Sequence, residues 1–380
     1  MIKTIDECFV QIQNGANIKQ GDTDGGFPIT RIETTANDKF NRDRMGYAGI
    51  TDISKYQSFV LEDGDLLMSH INSVQYLGRT VLYEKQPNET IIHGMNLLRL
   101  KARRELINPR YARYCFYGRP FRSQVSNITK KSVNQASFAV KDLKQIKLEI
   151  PSLIEQEHIV SILDKLHNLI DMRNIELSAL DNLIKARFVE MFEGNFPSVK
   201  LGDVIKTTSG GTPLKTHKEY YDNGTIPWLT SGEINAGVIT KVKNFITEEG
   251  LNNSSAKIVP KNTVVIAMYG ATAGVTGILR LETTTNQAVC SLLPSDRFIP
   301  EFLYYAVSAK KDWMISQCQG GGQPNISQGI IKSMNLIDAP KEEQIKFSDF
   351  AKQIDKSKFN VNCRNLYSLC IRKVRGTLWP

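Results

Sequence analysis

The feature that most restricts what this 380-residue chain can fold into is an internal repeat. Leu143-Lys-Gln-Ile-Lys-Leu-Glu-Ile-Pro151 is answered by Ile331-Lys-Ser-Met-Asn-Leu-Ile-Asp-Ala-Pro340. Each proline is followed by an acid–Gln step, Glu155-Gln156 and Glu343-Gln344, and then by a long helical segment. Fainter echoes lie at a similar offset of about 190 residues, the signature of one scaffold used twice. Tyr111-Ala-Arg-Tyr114 answers Phe302-Leu-Tyr-Tyr305, and Asn134 precedes the first block as Asn325 precedes the second. Asp63-Gly-Asp-Leu-Leu-Met68 is matched to Pro260-Lys-Asn-Thr-Val-Val-Ile-Ala-Met268. The expected order is therefore a domain over 1–151, a helix over 152–194, a domain over 195–340 and a helix over 341–380. Outside these blocks the halves diverge, which fits either one task done on two different targets or drift without functional meaning.

The first helical segment carries apolar residues in alternating steps of three and four: Ile159, Leu163, Leu166, Ile170, Leu177, Leu180, Ile184 and Met191. Arg173 and Arg187 fill the remaining seam positions, and no proline or glycine intervenes before Gly194. That is a heptad seam. A helix from Glu155 to Phe192 would be about 55 Å long, far beyond the usual dozen residues, and needs a long partner. The second helical segment, from about Glu342 to Arg375, offers Phe347, Phe350, Ile354, Phe359, Val361, Leu366, Leu369 and Val374. An antiparallel pair would give the chain pseudo-two-fold symmetry. Were the target DNA, two readers on a rod of that size would address half-sites roughly one turn, about 34 Å, apart.

The two intervening regions read as mixed, strand-rich α/β. Thr263–Met268 and Gly274–Leu279 have strand character around the glycine-bearing turn Tyr269-Gly-Ala-Thr-Ala273. Ser209-Gly-Gly-Thr-Pro213 and Gly320-Gly-Gly-Gln-Pro-Asn325 do not match the phosphate-loop pattern. They are either loops that bring backbone close to a partner or ordinary tight turns.

Composition excludes several classes. A hydrophobic fraction of 41% with 23% charged residues is ordinary for a globular protein. No run of about 18 apolar residues suggests a membrane span, and the first residues lack the apolar core of a secretion signal. A cytoplasmic location is the expectation. Cys8, Cys115, Cys290, Cys318, Cys363 and Cys370 form no CxxC pair, and the five histidines are scattered, so no metal site is expected. Asp63-Gly-Asp65 is expected to be a turn. No methyl-transfer or nuclease motif is evident, which points to recognition without catalysis.

The formal charge of +9 suits a polyanion. Thirteen basic residues lie between Arg99 and Lys147 against only Glu105 and Asp142. Such a stretch is either a solvated face or a set of phosphate contacts that gain from counterion release.

With these motifs in place, the chain resembles the specificity subunits of type I restriction–modification systems over essentially its whole length. The resemblance rests on Gly224-Thr-Ile-Pro-Trp228-Leu-Thr-Ser-Gly-Glu233, Met268-Tyr-Gly-Ala-Thr-Ala-Gly274, Thr285-Asn-Gln-Ala-Val289 and Gly322-Gln-Pro-Asn-Ile-Ser327. These lead into Pro340 and Glu343-Gln344. The first half departs from the pattern, with Ser69-His-Ile-Asn-Ser-Val-Gln-Tyr-Leu-Gly78 in place of a Gly-rich turn and Asn96 without a following Gln.

The resemblance implies two target-recognition domains and antiparallel spacer helices that dock two modification subunits. Those subunits would carry S-adenosylmethionine and methylate adenine at N6, with base flipping as their task. ATP-driven restriction subunits would join them, and this chain would hold no cofactor. It would read double-stranded DNA as two half-sites around an unspecified spacer. In the first domain Arg31, Arg42, Arg44, His70, Asn72 and Lys130 are the candidate DNA contacts. In the second they are Thr230, Ser231, Tyr269, Thr272, Gln323 and Asn325. Two other readings stay open: a protein-binding helical scaffold, which would ignore salt and DNA, and a stand-alone DNA enzyme, which would act without partners.

Overall fold

The computed structural model describes residues 1–19, 25–132, 135–318 and 324–361, with side chains to Lys358. They fall into two compact units, one of Met1–Ile170 and one beginning at Asp171.

In the first unit a four-stranded antiparallel sheet has the order Phe9–Asn14, Leu97–Ala102, Leu66–Ser69, Thr80–Leu82. Leu66–Ser69 is central and wholly buried, so its successive side chains serve opposite faces. Leu66 and Met68 join Phe9, Leu98, Leu100, Tyr111, Phe116 and Phe121 on the side covered by the helices Pro109–Tyr117 and Arg119–Ile128. Leu67 packs on the other side with Leu61, Val81, Tyr83, Ile91 and Leu97. The first of those helices starts where it does because Pro109 needs no N–H partner and the Asn108 side chain accepts from Arg110 N. Strand Ile2–Thr4 pairs with Lys147–Glu149, and a small sheet is formed by Ile71–Asn72, Ala136–Ser137 and Lys130–Lys131.

The second unit repeats this plan and extends it. Ser198–Lys200 pairs with Asn335–Ile337. A five-stranded sheet runs Thr207–Ser209, Val289–Leu292, Val264–Ala267, Thr276–Leu279, Val238–Ile239, and helix Pro300–Ser308 packs against it. A further four-stranded sheet, Asn244–Ile246, Ile226–Leu229, Thr283–Thr285, Ile258–Val259, has no counterpart among the described residues of the first unit.

Hydrogen bonds confirm the duplication and correct its register. Gly78 N donates to Ser69 O (2.8 Å) as Gly274 N donates to Ala267 O (2.8 Å). Both glycines hold φ near +70°, a conformation that costs them no Cβ clash. Phe138 N reaches His70 O as Ile326 N reaches Met268 O. His70, not Met68, therefore stands opposite Met268. The sequence match was two residues off, because a shared methionine is weaker evidence of register than a shared hydrogen bond.

The repeated glutamines explain the acid–Gln step. Gln156 is fully buried; its Oε1 accepts from Asn108 N (2.8 Å), and its Nε2 donates to Leu106 O and Pro151 O. Gln344, equally buried, accepts from Ile299 N (2.8 Å) and donates to Arg297 O and Ala339 O. Each clamps the residue before a proline-started helix to the end of the preceding strand segment.

The central helix spans Leu153–Phe192. Ser152 and Glu155 cap it reciprocally, Ser152 N donating to Glu155 Oε2 (2.9 Å) and Glu155 N to Ser152 Oγ. All eight apolar seam residues are buried or half-buried, whereas Arg173 is exposed. Ile159 and Leu163 enter the core of the first unit, Ile184 and Met191 that of the second. The distal helix, Lys341–Val361, runs antiparallel to the latter part: Phe347 meets Phe192 and Phe188, Arg187 lies over Phe350, and Lys358 Nζ reaches Asp181 (2.7 Å). The side chains of Phe359, Val361, Leu366, Leu369 and Val374 lie outside the described residues.

Candidate nucleic-acid interface

In the second unit the structure brings most of the candidate residues to one loop cluster. Tyr269 bridges to Asn325 in antiparallel fashion, Gly270 N donates to Pro324 O, and Ile326 N to Met268 O. This seats the turn Gly270–Thr272 beside the 324–326 segment. The turn Ser231–Ala236 packs against it. Tyr269 is 41% exposed, Asn325 is exposed, and Ser231 and Thr272 are half-buried. Thr230 is committed locally, its hydroxyl donating to Glu233 Oε2 (3.0 Å) in a capping box. Gln323 lies outside the described residues.

Two further loops border this cluster; both stood out in the sequence, but none of their residues was named there as a DNA contact. Thr212 Oγ1 donates to the side chain of Gln287. Trp228 Nε1 donates to Gly211 O (3.1 Å), and a Cβ at Gly210 would lie 1.8 Å from Thr285 O. The Gly210-Gly211 pair thus serves close approach of backbone within the domain. Thr285 Oγ1 and Asn286 Oδ1 are buried without a hydrogen-bond partner among the described residues. The signal was present in Thr285-Asn-Gln-Ala-Val289, but nothing local says that it meets residue 212.

The first unit sorts its candidates differently. Lys130 is exposed in the small sheet and Lys131 beside it; Lys131 and Asn72 lie opposite Ala136 from either side. Arg44 is exposed, and Arg31 is half-buried at the start of the turn Ile32–Asp38. Asn72 is engaged locally, donating to Ser69 Oγ and accepting from Ser73 N.

Two candidates are engaged inside the unit. His70 is buried against Phe138, and that burial lowers its pKa. Arg42 makes a two-pronged ion pair with Glu89 (2.7 and 2.8 Å), donates to Glu84 O and lies over Phe40 and Tyr83. Glu89 raises the Arg42 pKa, and Arg42 in turn holds the Glu89 carboxyl down at about 2.

The basic stretch is also largely spent inside the unit. Arg99, Lys101, Arg103, Arg104, Arg110 and Lys144 all form ion pairs. Arg113 and Arg122 donate to Asp38 O and Leu77 O. Arg119, Lys130, Lys131, Lys141 and Lys147 are exposed and carry no ion pair among the described residues. Asp63-Gly-Asp65 is a turn, with Asp65 Oδ2 buried 2.8 Å from Arg99 Nε and accepting from Glu62 N. Among the described residues no group of His, Cys, Asp or Glu could hold a metal, and no helix is long and apolar enough to cross a membrane.

Two mixed α/β domains on one scaffold, each tied to a long helix and each carrying its own loop surface, define a duplicated recognition protein. The chain belongs to the type I restriction modification DNA specificity domain family, whose profile matches it twice, over residues 2–181 and 193–365.

Its relatives include the protein assigned as the MjaX type I restriction enzyme specificity subunit of Methanocaldococcus jannaschii, 34% identical over 194 residues, which are 50% of this chain and 45% of that one. An Escherichia coli type I restriction enzyme specificity subunit is 26% identical over 231 residues, 57% of each chain. The matches thus span about half the length of these curated relatives. Among solved structures, the S subunit of a type I restriction–modification system from M. genitalium superposes with a TM-score of 0.55 at 16% identity, covering 100% of this chain and 94% of that one. A chain from a study of complex assembly and conformational transition of the type I R–M system gives 0.55 at 14% identity, over 98% and 94%. These likenesses are of fold.

Proposed function

We propose that this chain is the DNA-recognition subunit of a type I restriction–modification complex, each domain reading one half of a split target, with catalysis left to its partners. The observation that carries the reading is the pair of hydrogen-bonded scaffolds superposed at Gln156 and Gln344 yet lined with different loop residues. The same frame with different readers suits two unlike half-sites. Base readout falls to loop side chains such as Tyr269, Asn325 and Gln287 in the second domain, and phosphate contact to Lys130 and Lys131 in the first.

The partners are double-stranded DNA, two adenine-N6 modification subunits and, through them, restriction subunits, in the cytoplasm. S-adenosylmethionine and ATP belong to those partners. The central helix supports a docking role: Met172, Ile175, Leu183 and Val189 form an exposed apolar face on the side away from the seam.

The test is an adenine-methylation map of a methylation-free bacterial host expressing this chain with its modification subunit. A split motif that needs both proteins, and of which one half alone changes when residues 1–151 are replaced by those of another such chain, is the expected result. No new methylation from an assembled complex would overturn the proposal.

A further inference from the structure

At three equivalent positions the two halves carry opposite charges. Gln156 and Gln344 superpose the helix starts Asn108-Pro109 and Ile299-Pro300, so Arg110 corresponds to Glu301. Gly64 N donates to Tyr83 O, and Tyr83 N to Asp65 O; Asn262 N donates to Leu279 O, and Leu279 N to Thr263 O. The residues that follow, Glu84 and Arg280, therefore correspond. Eight residues after each glutamine, Asp164 corresponds to Lys352.

In the first unit Arg110 is ion-paired to Glu84 and, at 3.0 Å, to Asp164 of the central helix. In the second, Glu301 is ion-paired to Arg280 (2.8 Å) and lies 4.0 Å from Lys352 of the distal helix. The centre, its strand-end partner and its helix partner are all inverted.

We infer that these triads are a pairing key: at its junction each globular domain accepts the N-terminal part of the long helix that follows it in the chain and rejects the N-terminal part of the other long helix. Backbone bonding at the two junctions is alike, down to the glutamine clamp, so it does not by itself keep a domain from settling on the start of the wrong helix, within one chain or across two copies. Exchange of equivalent elements is a characteristic failure of repeated folds. On the wrong helix Arg110 would face a lysine and Glu301 an aspartate. Two attractions would become two repulsions, which matters more than the modest worth of any one surface ion pair. Sequence variation at the reading loops leaves the key untouched, because no residue of the triads lies in the loop clusters described above.

The test is a sign reversal in full-length chains. Asp164→Lys with Lys352→Asp should lower the folding equilibrium constant of the natural chain by roughly three- to thirtyfold. The same pair of substitutions should raise it by a similar factor in a chain in which residues 1–151 and 195–340 have exchanged places. A loss of general helix packing would move both chains in the same direction. The same sign in both, or no change in either, overturns the inference. Should the exchanged chain fail to fold, its recovery of folding on adding both substitutions supports the key. In the natural chain, Asp164→Lys alone should be destabilising and should be rescued by adding Arg110→Glu and Glu84→Arg; absence of rescue overturns the inference.

Discussion

Phe188 of the central helix meets Phe347 of the distal helix edge-on, with ring centroids 5.3 Å apart and planes at 76°. The same ring lies 5.1 Å from Phe192 and 5.7 Å from Phe302, so one side chain joins both helices to the helix of the second domain. Truncating it removes a large buried surface and leaves a cavity that three aromatic neighbours cannot close. Phe188→Ala should destabilise the protein by about 3–5 kcal/mol. Urea unfolding measures this, and a loss under about 1 kcal/mol would show that the cluster is not a packed core.

The two glutamine clamps should behave as twins. Gln156→Ala strands the Asn108 N–H and the Leu106 and Pro151 carbonyls in the interior; Gln344→Ala does the same at Ile299, Arg297 and Ala339. An unsatisfied buried group costs about 1–3 kcal/mol, so each substitution should cost at least that much. Equal losses at the two sites, by thermal or chemical melting, are expected. A neutral result at either would refute the equivalence drawn between them.

Lys130 and Lys131 are exposed cations with no internal partner among the described residues, whereas Arg42 is held by Glu89. For the assembled complex on DNA, Lys130→Ala and Lys131→Ala should weaken binding on any sequence. Each should flatten the log Kd against log salt plot by about 0.9. Arg42→Ala should leave that slope unchanged and lower the melting temperature. An altered slope for Arg42→Ala, with unaltered slopes for the lysine variants, would invert this assignment.

Acid should destabilise the first unit through His93. The ring is fully buried, with Nε2 donating to Leu97 O (3.0 Å) and Nδ1 unpartnered. Burial, first, outweighs the opposing hydrogen bond to the Leu97 carbonyl and, with smaller repulsion from Arg99 and His70, brings its pKa down from 6.5 to about 4. The folded state thus refuses a proton that the unfolded chain accepts. The associated stability is complete above pH 6.5 and is lost as pH falls toward 4, on the order of 3 kcal/mol in all. A pH series of unfolding free energies should show this slope, and His93→Gln should remove most of it across that window. An identical slope in the variant would assign the loss elsewhere.

Much of the architecture was legible in the sequence because its signals are periodic or repeated. A seam recurring every three and four residues needs no knowledge of contacts, and Ile159 through Met191 do form the less exposed side of one helix. Each acid–Gln step lies in the first turn of a long helix, although its meaning lay in backbone atoms almost fifty residues upstream. The candidate contacts were less legible. Arg42, His70, Arg99 and Arg110 look like nucleic-acid ligands in a linear reading, since the acids and apolar rings that claim them are distant in sequence.

The sequence by itself determined the duplication, the long helix and its seam, because these depend on local periodicity and on similarity between segments. Only the tertiary structure decided the register of the repeat, which charges are spent internally, and that the domain–helix junctions carry opposite charges. Those outcomes depend on pairwise distances. Arg110 meets Asp164 at 3.0 Å across 54 residues of chain, and Arg280 meets Glu301 at 2.8 Å across 21. Coulomb attraction and hydrogen bonding are decided by separation in space, which only the folded chain supplies.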